Sequence, residues 1–466
     1  MRRPLLLLCP AVLGLLLHLW LRAPEQPLVV GVLSARQHRG LRDGIRSGWL
    51  QALPPGRRPL LRFILGSRPC PVPPEEREDP YSCRALNLSS PVPRGEVEAF
   101  TGPEPVPGPQ RRLSVTFRVL YPLIITRLGA WCRGVTRNVS VGLYQAEHAE
   151  ALVMARLTPL GTGAPVSGSG LCYKAVERFI LPEGFHGTLR WDSHDGQGLP
   201  MWGVHRVTLH DGGGVLRLVA APEGLLPYDF SQGAEGIAGG FMYTVHEPEL
   251  LLQRLSTRPQ RYAQHRAVLE QEEAGLQEES HAHGDMVFVD VVDTYRNVPR
   301  KLLLFYRWLE DAVTFRFLLK TDDDCFIHLE NVLRALEDKR LQGPHVWWGN
   351  FRLNWGVERT GKWQELEYMS PAYPPFTCGS GYVISRDIVQ WLADNAQSLQ
   401  TYQGEDVSMG IWMAAIGPRR YQDERWLCDK SCDRAMLSAP QFSAQELSDL
   451  WQQQQRCGNP CECANT

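Results

Sequence analysis

Phe315-Arg316-Phe317-Leu318-Leu319 runs straight into Lys320-Thr321-Asp322-Asp323-Asp324. The first five residues read as a short strand buried on both faces, the kind from which parallel sheets are built. The acids then fall at that strand's carboxyl end, and in open α/β sheets ligands bind in the crevice beyond such ends. Asp322 and Asp324 are two apart and can point the same way in an extended turn. Their hard oxygens suit Mn²⁺, with Mg²⁺ as the alternative, and leave coordination positions for substrate phosphates. Such a metal neutralises a diphosphate leaving group. A solvated acidic turn is the bland reading; the position at a strand end argues against it.

The flanking sequence supplies the rest of a sheet. Residues 28–33 (LVVGVL) and 60–65 (LLRFIL) are apolar runs on either side of a polar stretch, 36–50, with Leu41, Ile45 and Trp49 at helical spacing. That is a β-α-β start. Residues 285–290 (DMVFVD) predict another strand, and 265–278 an acidic amphipathic helix. Pro299 opens a helix to about 313, with Leu302, Phe305, Tyr306 and Leu309 on one face.

Between these α/β blocks the character changes. Pro and Gly are frequent over 69–109, and short alternating segments follow at 113–120, 139–144, 188–191, 204–209 and 215–218. Short strands with Gly-rich turns such as Gly212-Gly213-Gly214 suggest a β-sandwich. It reads either as a structural insert or as an acceptor- or carbohydrate-recognition module. The expected division is a tail at 1–4, an anchor at 5–21, a split α/β domain at 22–66 and 265–430, an all-β insert within 67–264, and a Cys-rich tail at 431–466.

Residues 5–21 (LLLLCPAVLGLLLHLWL) form a 17-residue apolar run preceded by Arg2 and Arg3. The run is short for a membrane span but long for a signal-peptide core, and no small-x-small cleavage site follows it. It predicts a signal anchor with the rest of the chain lumenal, in the Golgi or endoplasmic reticulum; a cleaved signal peptide is the alternative. Either places the chain in an oxidising compartment, in keeping with the sequons at Asn87 and Asn138. Eleven cysteines remain once Cys9 is set aside, an odd number that leaves at least one thiol free or intermolecular. Cys428, Cys432, Cys457, Cys461 and Cys463 are expected to staple an irregular tail with disulfides rather than zinc.

Length and composition set the outer limits. The 466 residues suffice for two sizeable cores, and 43% hydrophobic with 21% charged residues excludes a mainly disordered chain. A net charge of −2 gives no global electrostatic footprint for nucleic acid.

A second acidic site precedes the apolar stretch 409–416. Glu405 and Asp406 there read as a helix start, with Asp406 an N-cap, or as a general base for an acceptor hydroxyl. Between the two acidic sites lie Trp347, Trp348, Trp355, Trp363, Tyr368 and Tyr373, interleaved with Arg352, Arg359 and Lys362. Amphipathic rings beside polar groups suit sugar faces. Gly379 and Gly381 allow backbone to approach a ligand closely.

Taken in order, Val32-Leu33-Ser34, Leu41-Arg42-x-x-Ile45-Arg46-x-x-Trp49, Phe63-Ile64-Leu65-Gly66, Asp285–Asp290 with Asp293-x-Tyr295-x-Asn297 and Lys301, Lys320–Asp324, Lys362-Trp363, Gly379-x-Gly381-Tyr382-Val383 and Glu405-Asp406-Val407 resemble the family-31 glycosyltransferases, the β-1,3-transferase family. The resemblance implies a GT-A-type domain and an inverting single displacement. It puts Asp322 and Asp324 near Mn²⁺, Asp323 at the ribose or in support, and Arg42, Arg46 and Lys301 near the nucleotide or its phosphates. Each of those three bases could equally be a structural ion-pair partner. Asp406 matches the base, with Glu405 in support, and Trp355, Trp363, Tyr373, Gly379 and Gly381 are candidates for the acceptor sugar. The long insert and the segments 347–355 and 402–421 are most similar to family members that move GalNAc from UDP-GalNAc, β-1,3, onto a terminal GlcNAc, including that of O-mannosyl glycans such as those on α-dystroglycan. UDP-Gal or UDP-GlcNAc as donor, and an inactive lectin-like protein, remain the alternatives.

Overall fold

The computed structural model describes residues 25–131, 138–145, 148–158, 170–219, 234–359 and 361–463. The apolar run 5–21 lies outside them. Among the described residues no helix is long and apolar enough to cross a membrane. The chain divides into two compact units: Met1–Cys70 with Leu269–Val357 and Glu367–Thr466, and Pro71–Val268 with Glu358–Leu366.

The first unit is built on seven strands: β1 (Gln26–Leu33), β2 (Leu60–Arg68), β3 (Met286–Val292), β4 (Phe315–Asp322), β5 (Val346–Gly349), β6 (Tyr382–Ser385) and β7 (Arg419–Gln422). Their order is β3-β2-β1-β4-β6-β5-β7. β1 runs parallel to both β2 and β4, while β6 is antiparallel to β4 and β5. Helices cover both faces, which is why Leu28–Leu33 of β1 is buried throughout rather than alternating. Leu28, Val30 and Val32 face a core shared with α1 (Arg39–Ser47), α4 (Leu329–Leu336) and α7 (Ala444–Cys457). Val29 and Leu33 face the core of α3 (Val298–Ala312), α5 (Arg386–Asp394) and α6 (Glu405–Ile416). β1 and β4 are neighbours whose connections leave in opposite directions, so the crevice between their carboxyl ends is the switch point of the sheet.

The helix predicted at 265–278 is much longer, α2 (Arg258–His283), and it is not amphipathic in the ordinary sense. Leu276 and Glu279 are its buried residues. Its acids do the anchoring: Glu272 and Glu273 pair with Arg36, and Glu279 with Arg42.

The second unit has two sheets that share one core. Arg112–Val119, Val139–Gln145, Ala151–Leu157, His186–Ser193 and Leu216–Val219 form most of one; Val97–Glu98, Leu123–Trp131, Leu171–Ala175 and Gly239–Val245 form most of the other. Phe117, Val141 and Leu189 of the first meet Leu128, Tyr173 and Phe241 of the second. The strand expected over 204–209 is instead a 3₁₀ turn, Val204–Arg206, followed by the two residues Thr208–Leu209. Val204, Val207 and Leu209 still pack against the core of the unit, while His205 and Arg206 are exposed.

The C-terminal segment departs from the irregular tail expected of it. It carries α7, whose Ser443 and Glu446 form a capping box. Cys432–Cys461 and Cys457–Cys463 staple it, but Cys428 reaches back to Cys378, next to the glycines at 379 and 381. Among the described residues the free thiol is Cys325, buried behind the acidic turn.

Candidate active site

The three acids occupy a tight turn, closed by the Cys325 amide donating to the Asp322 carbonyl at 3.3 Å. The Asp323 amide donates to the Leu33 carbonyl (3.0 Å), which ties the turn to the end of β1. The middle carboxylate turns inward. Asp323 Oδ2 accepts from Ser34 Oγ at 2.7 Å and lies 2.9 Å from His38 Nδ1. The outer two, Asp322 and Asp324, are half-buried. Asp324 makes no ion pair among the described residues. Burial, and then the charges of Asp322 and Asp323, push its pKa up to about 6. Hard oxygen donors whose repulsion a dication would relieve fit Mn²⁺ or Mg²⁺. Among the described residues no cluster of three or more metal-ligating side chains exists, so the turn offers a partial ligand set.

Beneath the turn lies Lys320, with no solvent exposure. Its ammonium donates to Asp322 Oδ1 (2.9 Å), to Glu405 Oε2 (2.7 Å) and to the Gly379 carbonyl (3.3 Å). Glu405 also accepts from the Tyr382 hydroxyl at 3.0 Å, and burial pushes its pKa upward against the pull of Lys320. Glu405 and Asp406 are the first two residues of α6, whose cap is Gly404. Asp406 is therefore not the N-cap. Its Oδ1 accepts from the Val407 amide at 2.9 Å, it makes no ion pair among the described residues, and burial raises its pKa. A carboxylate free of an ion pair among the described residues and raised in basicity is what a general base requires. Gly404 has φ +94°, and a Cβ there would lie 2.8 Å from Asp406 Oδ1. Glycine thus lets the chain turn into the helix without displacing that carboxylate.

The three basic candidates are each held in ion pairs. Arg42, fully buried, grips Glu279 with two bonds of 2.7 Å and donates to Ser34 Oγ at 3.0 Å. Arg46 is held by Asp43, Glu279 and Asp285. Lys301 sits on Asp293 at 2.5 Å and on the Ser34 carbonyl at 2.9 Å. All three are ion-paired in the structure, and mutation separates that role from a donor contact. Arg42→Ala should cost ~3–5 kcal/mol by stranding Glu279 in the interior, read as a lowered Tm. A donor contact would show instead as a raised KM at unchanged Tm.

His38 is the residue the motifs did not single out. Its ring is 41% exposed at the β1 end of the switch-point crevice, and Asp323 holds its pKa up. No spacing rule marks it, because its partner is 285 residues away.

The aromatic segment divides. Trp355 is 44% exposed, with the Arg352 guanidinium 5.0 Å from its ring. Tyr373 is buried: it stacks on Tyr368 and belongs with Phe376 and Val407 to a small cluster that seats the loop on the first turn of α6. Trp347 and Trp348 are core residues. Trp363 is exposed and falls in the second unit, with Lys362 beside its ring. Gly379 opens toward the turn, since a Cβ there would be 3.7 Å from Asp322 Oδ2. Gly381 answers to packing instead; a Cβ would press to 2.8 Å on the Trp426 ring. Asn87 and Asn138 are both exposed.

Acids at the carboxyl end of a sheet strand, with a metal-suited pair on the turn and a carboxylate of raised basicity at the start of α6, make this a mixed α/β, glycosyltransferase-like domain. The Galactosyltransferase family profile matches residues 269–424, the stretch that carries both acidic sites. UDP-GalNAc:beta-1,3-N-acetylgalactosaminyltransferase 2 of Xenopus laevis is 56% identical across 99% of this chain and 99% of its own length. The protein of that name from Homo sapiens is 54% identical over 99% of each. Beta-1,3-galactosyltransferase 6 of Mus musculus is 31% identical over 41% of this chain and 61% of its own. The chain belongs to the Galactosyltransferase family, alongside these β-1,3-transferases.

Proposed function

We propose that the chain is an inverting, metal-assisted β-1,3-N-acetylgalactosaminyltransferase. It moves GalNAc from UDP-GalNAc to a terminal GlcNAc of glycoprotein glycans, including O-mannosyl glycans such as those on α-dystroglycan. The names of the near-full-length relatives support the donor and the linkage. The carrying observation is the juxtaposition of the two acidic sites through Lys320.

Asp322 and Asp324 would hold Mn²⁺ or Mg²⁺. When bound, the ion supplies charge neutralisation for the departing diphosphate. Asp406 accepts the proton of the acceptor's 3-hydroxyl as that oxygen forms its bond to C1 of GalNAc and the bond from C1 to UDP breaks. Attack from the face opposite UDP turns an α-linked donor into a β product. Glu405, fixed by Lys320 and Tyr382, seats the first turn of α6. Asp323 and His38 border the crevice on the nucleotide side, and Trp355 offers an exposed ring to the acceptor. The same reading has residues 5–21 as a signal anchor, with a GT-A-type domain and its β-sandwich insert in the lumen of the Golgi or endoplasmic reticulum.

Competing UDP-sugars on a GlcNAc-terminated acceptor, with and without EDTA, test this. UDP-GalNAc should be preferred and EDTA should abolish turnover. Preference for UDP-Gal or UDP-GlcNAc would overturn the donor, and full turnover in EDTA the metal.

A further inference from the structure

We infer that Lys320 is a positioning residue that locks the metal-suited turn and the base-bearing helix into one register, an inference resting on the transferase reading above. Asp322 ends β4 and Glu405 begins α6, two elements that approach the site from different directions. Lys320 Nζ stands between them, 2.9 Å from Asp322 Oδ1 and 2.7 Å from Glu405 Oε2. It is fully buried, and its third donor is taken up by the Gly379 carbonyl. The arrangement continues inward. Tyr382 donates to Glu405 Oε1 at 3.0 Å, and the Tyr306 hydroxyl lies 3.4 Å from that of Tyr382.

A buried ammonium is expensive to keep, and a well-packed apolar residue would serve the core as well or better. Simple packing does not account for a lysine here. Two carboxylates share its single charge, so drawing Asp322 toward a cation leaves Glu405 still paired. The lysine can thus serve the turn with and without metal while holding the start of α6, and with it Asp406, at a constant distance. Positioning of this kind acts on the reaction geometry and not on the affinity for the nucleotide.

The test is a double-mutant cycle on Lys320→Met and Glu405→Gln, with turnover counted per UDP-binding site and Kd for UDP with Mn²⁺ measured by calorimetry. Each single change should lower turnover per site by ~10²-fold, the scale of a misplaced reacting group, with Kd within about threefold of the unmodified chain. The double variant should fall no more than about threefold below the poorer single one. Losses that multiply, or a Kd that weakens in step with turnover, would overturn the proposal. If Lys320→Met fails to fold, the double variant, which removes the stranded acid, is compared with Glu405→Gln alone. Equal turnover then supports the coupling, and a further ~10²-fold loss overturns it. An unmodified chain that turned over no UDP-sugar would give a different signature and take both readings down together.

Discussion

Asp406→Asn should lower turnover by ~10²–10⁴-fold, the contribution typical of a positioned general base, while UDP-GalNAc and Mn²⁺ still bind. The substitution keeps the shape of the side chain and can keep its hydrogen bond from the Val407 amide. Fold stability should barely change, because the cap of α6 is Gly404 and no capping bond is lost. The pH profile supplies a second readout. A base accepts a proton only when ionised, so turnover of the unmodified chain falls as pH drops through the pKa of Asp406. Burial holds that pKa above the ordinary aspartate value, so the acid limb should lie at correspondingly higher pH and vanish in the variant. Normal turnover in Asp406→Asn would remove the residue from the chemistry. Glu405 could not simply take over, since Lys320 and Tyr382 occupy both of its oxygens.

Asp324→Asn is the second large effect. Loss of a charged oxygen ligand should reduce Mn²⁺-supported turnover by ~10²-fold or more, in line with the several kcal/mol a metal contributes to charge stabilisation. Stability should move the other way. The pKa of Asp324 is raised to about 6 in the folded chain, so the folded state binds the proton more tightly than the unfolded state does. The side chain's contribution is thus intact below the unfolded value and is lost as pH rises through about 6. Without metal, the Asn variant should melt higher than the unmodified chain at pH 7 and lose that advantage below pH ~4. Mn²⁺ with UDP should raise the Tm of the unmodified chain more than that of the variant, since a ligand stabilises only the state that binds it. Near-normal activity at low Mn²⁺, with the same metal-induced gain in Tm, would remove Asp324 from the ligand set.

The sheet and its acids were legible in the sequence for one physical reason. Strands covered on both faces read as apolar runs, as 28–33 does throughout and 315–319 does apart from Arg316, and functional groups at their carboxyl ends follow immediately in the chain. What was not legible depends on partners far away. Arg42 and Glu279 are 237 residues apart, and nothing local distinguishes an arginine destined for a buried carboxylate from one that awaits a phosphate. The helix α2 extends past its predicted ends because ion pairs, not an apolar stripe, hold both ends: Arg258 and Arg261 on Glu76 at its start, and Glu279 on Arg42 near its finish. Gly129 breaks the pattern of the strand Leu123–Trp131, and Gly239–Val245 opens on two glycines that mark no face. Gly240 is there for the Tyr173 hydroxyl, which a Cβ would approach to 2.7 Å. Asp406 lies at the helix start that its sequence predicts, but the cap belongs to Gly404, whose positive φ no motif announces.

The most direct measurement is the structure of the product. The chain, incubated with UDP-GalNAc, Mn²⁺ and a GlcNAc-terminated acceptor, should yield a disaccharide end whose new linkage NMR assigns as β, from C1 of GalNAc to the 3-oxygen of GlcNAc. An α linkage would contradict inversion at C1. A different linkage position, or no transfer of GalNAc while another sugar is accepted, would contradict the assigned reaction.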